Sequence, residues 1–187
     1  MTLFPVVMPV VWIGQGLSGQ EQVARLSRLA REALIVSAEK SQLRLGELLK
    51  DENGSPRPAS GAYWSLSHKP ECVAAVVSKE KVGIDVEEVR PRNESLFSYV
   101  ARDEEWQLQD KSWDTFFRYW TAKEATLKVI GIGIGGLKAC HVVSVPDESN
   151  IVLEYDGHFF AVEQLRYKNH VVAVAKGDNE IEWVVLP

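Results

Sequence analysis

The sequence predicts an α+β fold with a mostly antiparallel sheet. Short β-type runs bounded by turn residues occur at 62–66, 72–78 and 82–88. Amphipathic patterns with helical spacing precede and follow these runs, at 20–36 and 112–130. The last part of the chain, 139–187, alternates β-branched and aromatic residues with turns and accommodates four or five strands. Strands grouped in this way, with long helices outside the groups, are typical of α+β proteins.

The first two elements follow from local patterns. A strand is predicted at 6–13, because Pro5 and Pro9 oppose a helix in this apolar stretch. A helix is predicted at 20–36, where apolar residues recur every three or four positions. Its opposite side carries basic residues: Arg25, Arg28 and Arg31.

Turn formers separate the remaining elements. Residues 51–61 are rich in Gly, Pro, Ser and Asn and predict a loop. Residues 93–109 predict one or two short helices. The sequence GIGIGG at 131–136 ends the helix predicted at 112–130, because glycine readily adopts the left-handed conformation of a helix terminus.

Composition restricts the classes of function. The chain has 187 residues and a net charge of -5, which argues against nucleic acid as the main partner. Cys72 and Cys140 are isolated in apolar surroundings, which predicts reduced core residues. The apolar N-terminal stretch lacks a basic leader and is too short to span a membrane. We therefore expect a cytoplasmic protein without membrane segments.

Two carboxylates share one face of the strand at 82–88. Side chains alternate along a strand, so Asp85 and Glu87 point the same way, roughly 6–7 Å apart. Like charges at that distance repel unless a cation compensates them. Gly83, on the same face, is expected to leave room for a ligand. The alternative is an exposed strand face that happens to be acidic.

A third carboxylate falls within the apolar stripe of the helix at 112–130. Glu124 lies about 40° around the helix from Trp120, and a carboxylate there is costly unless paired or metal-bound. Lys123 and Lys128 flank the stripe. The alternative is an ordinary surface pair between Glu124 and Lys128, one turn apart.

Polar residues before the acidic strand complete the candidate set. Ser67 and His68 end the strand that starts near residue 62 and could donate hydrogen bonds to phosphate, or form a capped turn. Arg57 stands between two prolines, which hold it in an extended loop. It could bind phosphate or remain solvated.

Taken in order, three segments resemble the signature blocks of the 4′-phosphopantetheinyl transferases. They are WSLSH at 64–68, VGIDVE at 82–87 and WTAKEATLK at 120–128. The resemblance covers about residues 55–145 and is closest to the monomeric surfactin-synthetase-activating type. One departure is Lys69, which stands where a second Ser is common in the family.

The resemblance implies a fold and a reaction. Two similar α+β halves, each a mostly antiparallel sheet with a long helix, are expected at 1–90 and 91–187, related by a pseudo-two-fold axis in one monomeric unit. Coenzyme A would bind in the cleft between them. The enzyme would transfer 4′-phosphopantetheine to a serine of an apo acyl or peptidyl carrier protein and release adenosine 3′,5′-bisphosphate.

The resemblance also implies roles for individual residues. Mg²⁺ would be held by Asp85, Glu87 and Glu124, and the catalytic set would be Asp85, Glu124 and Lys128, with Glu124 as the base. Contacts to coenzyme A are expected from a further group: Arg57, Ser67, His68, Lys123 and Lys128. Arg25 or Arg28 is a further candidate.

Two other functions are compatible with the residues alone. One is a non-catalytic module that binds coenzyme A or a carrier protein. The other is a different magnesium-dependent enzyme that acts on pyrophosphates, such as a hydrolase. The carrier protein and the pathway are not specified by the sequence.

Overall fold

The structure is a computed structural model that describes residues 1–11, 18–52 and 54–187. Its N-terminal strands are β1 (Thr2–Leu3) and β2 (Val6–Pro9). The strand predicted at 6–13 therefore ends earlier than expected, at Pro9. Residues 12 and 13 of that prediction lie outside the described part. The central strands match their predicted positions closely: β3 (Tyr63–Lys69), β4 (Cys72–Ser78) and β5 (Gly83–Glu88).

Two long helices have well-defined ends. Helix α1 (Gly19–Ser41) runs five residues beyond the predicted end and starts with a capping box, in which Ser18 and Glu21 exchange hydrogen bonds. A short helix, α2 (Phe97–Val100), and 3₁₀ turns occupy the segment predicted as short helices. Helix α3 (Trp113–Ile130) is capped by Ser112 and ends at Gly131, whose φ of 87° is left-handed.

The C-terminal part contains six strands, one or two more than predicted. They are β6 (His141–Ser144), β7 (Asn150–Tyr155), β8 (His158–Tyr167), β9 (His170–Ala175), β10 (Glu180–Ile181) and β11 (Val184–Val185). The α+β class with mostly antiparallel sheets is therefore confirmed.

Two larger sheets organise the molecule. One has the order β11-β2-β4-β3 and the other β5-β9-β8-β7-β6, while β1 and β10 form a small parallel pair. Strand β5 lies before the predicted boundary at residue 90, yet it pairs with β9, which lies after that boundary. Strand β11 lies after the boundary, yet it pairs with β2, which lies before it. The two sheets thus exchange strands across that boundary. The pseudo-two-fold relationship stays a prediction.

The layers are helix, sheet, sheet and helix. Helix α1 packs on one face of the first sheet around Trp64 and Leu34. The other face of that sheet packs on the second sheet through apolar residues such as Val76 and Ile84. Helix α3 covers the outer face of the second sheet. Strand β5 therefore lies between the first sheet and α3, and both of its faces are covered.

Candidate active site

Asp85 on β5 is the centre of a polar cluster in this largely apolar environment. Its side chain is almost fully buried. Oδ1 accepts a hydrogen bond from Ser67 Oγ at 2.8 Å and another from Lys128 Nζ at 2.8 Å. Oδ2 is buried and has no hydrogen-bond partner among the residues that the structure describes. One carboxylate oxygen is thus fully engaged and the other is unused.

Helix α3 brings Lys128 and Glu124 to this carboxylate. Lys128 Nζ also donates to the carbonyl oxygen of Ile84 at 2.7 Å, so its ammonium group is held against β5 by two contacts. Helix and strand approach closely here because residue 83 is glycine: a Cβ atom would overlap the carbonyl oxygen of Ala125. The expectation that Gly83 leaves room for a ligand was wrong, since it leaves room for the helix backbone.

Glu124 lies one turn before Lys128 on the same side of α3. Its side chain is half-buried and borders a groove of about 640 Å³, together with Ser65, Lys128 and the glycines that follow the helix. Burial raises the pKa of the Glu124 carboxyl, and the negative charge of Asp85 raises it further, while Lys128 acts in the opposite direction. A raised pKa makes the Glu124 carboxylate a better proton acceptor than an ordinary glutamate.

Glu87 is paired with a lysine that the sequence reasoning did not include. Lys69 Nζ lies 2.8 Å from Glu87 Oε1. Burial raises the pKa of Glu87, and the hydrogen bond from Lys69 counteracts this. The residue was noticed in the sequence only as a departure from the family pattern, and its role depends on the spatial proximity of β3 and β5.

The predicted phosphate contacts have different environments. Ser67 donates to Asp85, as described above. Strand alternation places His68 on the opposite face of β3, and burial followed by the charge of Lys69 lowers the pKa of its imidazole. Arg57 is exposed beside an adjoining groove of about 410 Å³, and its carbonyl oxygen accepts a hydrogen bond from Trp64 Nε1 at 2.9 Å.

Lys123 does not join the cluster, contrary to its predicted role as a cofactor contact. Its side chain is 1% exposed, and Nζ donates to Glu105 Oε1 and to the carbonyl oxygen of Val100, both at 2.6 Å. Positions 123 and 124 differ by about 100° around a helix, so both cannot face β5. Glu105 is an important buried residue that sequence reasoning missed, because its partners come from distant segments.

The first-helix arginines have local partners. Arg25 Nη2 donates to the carbonyl oxygen of Val11 at 2.7 Å. Arg28 lies 3.8 Å from Glu32 in a largely exposed pair one helical turn apart. Neither contact selects one of the two arginines as a cofactor ligand.

The carboxylates around Asp85 fit a metal ion only in part. In residues 1–11, 18–52 and 54–187, no group of three His, Cys, Asp or Glu side chains has the arrangement of a metal centre. The predicted ligands lie near one another, but Lys69 and Lys128 hold one oxygen each of Glu87 and Asp85. The unpartnered oxygen of Asp85 and the hard carboxylate donors nevertheless suit Mg²⁺ chemically.

Two further expectations concern the whole chain. Cys72 and Cys140 are buried free thiols, as predicted, and burial raises the pKa of each to about 12. Of the helices in the described part of the chain, none combines the length and apolar character needed to cross a membrane.

Comparison with known proteins finds relatives that share one name. A Haemophilus influenzae protein named as a 4′-phosphopantetheinyl transferase is 31% identical over 146 residues, which are 73% of this chain and 61% of that protein. The 4′-phosphopantetheinyl transferase HetI of Nostoc sp. is 36% identical over 97 residues, 48% of this chain and 41% of HetI. The corresponding enzyme gsp of Aneurinibacillus migulanus is 29% identical over 90 residues, 46% of this chain and 38% of gsp.

These alignments span about two fifths to three fifths of each relative's own length. The sequence model of the 4′-phosphopantetheinyl transferase superfamily matches residues 81–175, which include all of α3 and all five strands of the second sheet. The matched region carries Asp85, Glu87, Glu124 and Lys128. The chain belongs to the 4′-phosphopantetheinyl transferase superfamily.

Proposed function

We propose that this chain transfers the 4′-phosphopantetheine group of coenzyme A to a serine hydroxyl of an apo acyl or peptidyl carrier protein and releases adenosine 3′,5′-bisphosphate. The observation that carries the proposal is the environment of Asp85. Ser67 and Lys128 hold one oxygen of this buried carboxylate, and the other has no partner within the described residues. Such an oxygen is costly unless a ligand or cation completes its coordination.

Asp85, Glu87 and Glu124 are the proposed ligands of Mg²⁺. A few carboxylates combined with substrate phosphates are typical of magnesium sites. When bound, the ion would stabilise the charge that develops on the pyrophosphate and its leaving group. Glu87 can serve as a ligand through Oε1 if Lys69, which lies 2.8 Å away, releases that oxygen, or through its other carboxylate oxygen.

Glu124 is the proposed base. It would take the proton of the carrier serine, directly or through one water molecule, and its raised pKa makes that proton transfer less unfavourable than for an ordinary glutamate. The serine oxygen then bonds to the phosphorus that carries pantetheine, and the bond from that phosphorus to the bridging oxygen breaks. The electron pair leaves with adenosine 3′,5′-bisphosphate.

Lys128 is proposed to neutralise negative charge on the departing phosphate. Its ammonium group is positioned before substrate arrives, because Asp85 and the backbone of Ile84 both accept hydrogen bonds from it. A charge that is already oriented needs little reorganisation during the reaction.

Coenzyme A is proposed to lie in the two adjoining grooves of about 640 and 410 Å³. Lys128 borders both grooves, and Arg57 borders the smaller one. Arg57 and His68 remain proposed phosphate contacts, whereas Lys123 is withdrawn because it is buried against Glu105. A monomer with halves at 1–90 and 91–187, acting in the cytoplasm, remains part of the proposal.

Mass spectrometry of an apo acyl carrier protein, incubated with this protein, coenzyme A and Mg²⁺, tests the proposal. We expect the carrier to gain one phosphopantetheinyl group. The gain should disappear with EDTA and with Asp85→Asn, which removes the charge but keeps the shape. Asp178→Asn is the matched control, because it makes the same chemical change at an exposed turn position away from the site. This variant should modify the carrier as the wild type does.

Two results would contradict the transferase. Binding of coenzyme A without modification of acyl or peptidyl carriers would indicate a non-catalytic module. Cleavage of coenzyme A in the absence of any carrier protein, at the same rate as in its presence, would indicate an enzyme that hydrolyses pyrophosphates.

A further inference from the structure

Every second residue from Ser65 to Lys69 on β3 contacts a residue of β5. Ser65 Oγ accepts a hydrogen bond from the backbone N–H of Ile84 at 3.1 Å. Two residues later, Ser67 Oγ donates to Asp85, and two residues later again, Lys69 Nζ reaches Glu87. Side chains two apart on a strand share a face, so this series of contacts follows from the packing of β3 against β5, which belong to different sheets. Lys69 is therefore placed beside Glu87 by the fold.

The ion pair between Lys69 and Glu87 is partly shielded from solvent. The side chain of Glu87 is 12% exposed and that of Lys69 is 33% exposed, with 2.8 Å between Nζ and Oε1. Charge pairs that are partly removed from water attract each other more strongly than pairs on an open surface. Arg92 borders the same small depression of about 210 Å³ and adds positive charge near Glu87.

This pair changes the charge that a metal ion would meet. Without Lys69, the carboxylates of Asp85, Glu87 and Glu124 would be opposed mainly by Lys128. With Lys69, two of the three carboxylates each have one oxygen in an ion pair with an ammonium group. A divalent cation that uses Glu87 must displace Lys69 from Oε1 or bind through the remaining oxygen against the repulsion of that ammonium.

We propose that Lys69 is a built-in counter-ion of Glu87 that keeps the free protein's affinity for divalent cations low, so that the cation enters together with the pyrophosphate substrate. This inference rests on the function proposed above, since it concerns the same site. The negative charge of the pyrophosphate gives the displaced ammonium a new partner, and the metal and the substrate therefore bind cooperatively.

Titration of the full chain with Mn²⁺, followed by the electron paramagnetic resonance signal of free Mn²⁺, tests this directly. In the absence of coenzyme A, we expect Lys69→Ser and Lys69→Gln to bind Mn²⁺ about tenfold more tightly than the wild type, because one opposing charge is removed. Lys79→Ser, in the exposed turn after β4, changes the net charge equally and should leave the affinity unchanged.

The pairing with Glu87 is tested by a double-mutant cycle. In a Glu87→Gln background, Lys69→Ser should increase the affinity for Mn²⁺ by a smaller factor, because the ion pair is already absent and only the repulsion between the ammonium and the cation is removed. Coenzyme A should increase the Mn²⁺ affinity of the wild type by a larger factor than that of Lys69→Ser. Thermal unfolding of each variant establishes that it is folded.

The proposal is overturned if both Lys69 variants bind Mn²⁺ no more tightly than the wild type, or if no variant binds Mn²⁺ with or without coenzyme A. Unchanged Mn²⁺ affinity with weaker binding of coenzyme A would instead make Lys69 a phosphate contact. Mn²⁺ binding is measured without a carrier protein, so the test of Lys69 does not depend on carrier modification. Failure to modify carriers would contradict the proposed transferase but not the proposed role of Lys69.

Discussion

The ammonium group of Lys123 lies 2.6 Å from the carboxylate of Glu105, and their side chains are only 1% and 5% exposed. Glu105 also accepts hydrogen bonds from the backbone N–H groups of Arg102 and Val142. The pair thus joins α3 to the segment before it and to β6. Its position explains why Lys123, next to Glu124 in sequence, belongs to the core.

Lys123→Met should destabilise the protein without acting on substrate. Removal of one partner leaves the charge of Glu105 buried and uncompensated, so we expect a loss of about 3–5 kcal/mol in the free energy of unfolding. Urea denaturation measures this loss. The double variant Lys123→Met, Glu105→Gln should recover part of it, because no unpaired charge remains. A folded Lys123→Met protein with wild-type stability and a greatly raised KM for coenzyme A would contradict this assignment.

Gly83→Ala should disturb both the fold and the site. The added methyl group overlaps the carbonyl oxygen of Ala125, so α3 must move away from β5. We expect a loss of about 1–3 kcal/mol, as for other overpacked positions, and a larger separation of Lys128 from Asp85 that lowers kcat. Gly135→Ala is the matched control, because no atom lies within 4 Å of a Cβ there. Equal stability of the two variants in urea would rule out the close contact.

Lys128→Met should reduce kcat far more than it affects binding. Its ammonium group holds Asp85 and, in the proposed reaction, opposes the charge of the departing phosphate. We expect kcat for carrier modification to fall about 10²–10³-fold, the usual effect of losing one preorganised charge-stabilising donor. Lys138→Met, outside the cluster, should keep wild-type kcat. An effect confined to the KM for coenzyme A would assign Lys128 to binding alone.

His170 should make stability fall at weakly acidic pH. The residue is 2% exposed, and neither ring nitrogen has a hydrogen-bond partner within the described residues. Burial lowers the pKa of its imidazole below 6.5; Glu88 and Glu71 act in the opposite direction, while Lys168 and Lys69 lower it. The unfolded chain therefore takes up the proton first. Neutral His170 therefore makes its full contribution to the free energy of unfolding at pH values above its pKa in the unfolded chain. This contribution is lost as the pH falls towards its lower pKa in the folded protein.

Unfolding free energies between pH 8 and pH 5 measure this effect. We expect His170→Phe to reduce the dependence on pH below about 6.5 by up to about 1.4 kcal/mol per pH unit, the value for one proton. His158→Phe, at an exposed position, should retain the dependence of the wild type. If His170→Phe and the wild type lose stability in parallel, His170 does not control the acid response.

The sequence by itself determined most of the secondary structure and some local relationships within the candidate site. Period-two alternation in VGIDVE put Asp85 and Glu87 on one strand face, and the glycine-rich stretch that begins at Gly131 matched the C-terminal end of α3. These are local properties, because strand alternation and helix capping depend on residues a few positions apart. The three motif blocks also identified the superfamily correctly.

The tertiary structure alone decided which charged groups meet. Lys69 and Glu87 are 18 positions apart in sequence and Lys123 and Glu105 also 18, yet the first pair lies at the candidate site and the second in the core. Helical spacing placed Lys123 at the edge of a stripe but could not show that both sides of α3 are buried. Packing of β3 against β5, and of α3 on the second sheet, determines these partners, because contacts between distant segments depend on the arrangement of whole elements.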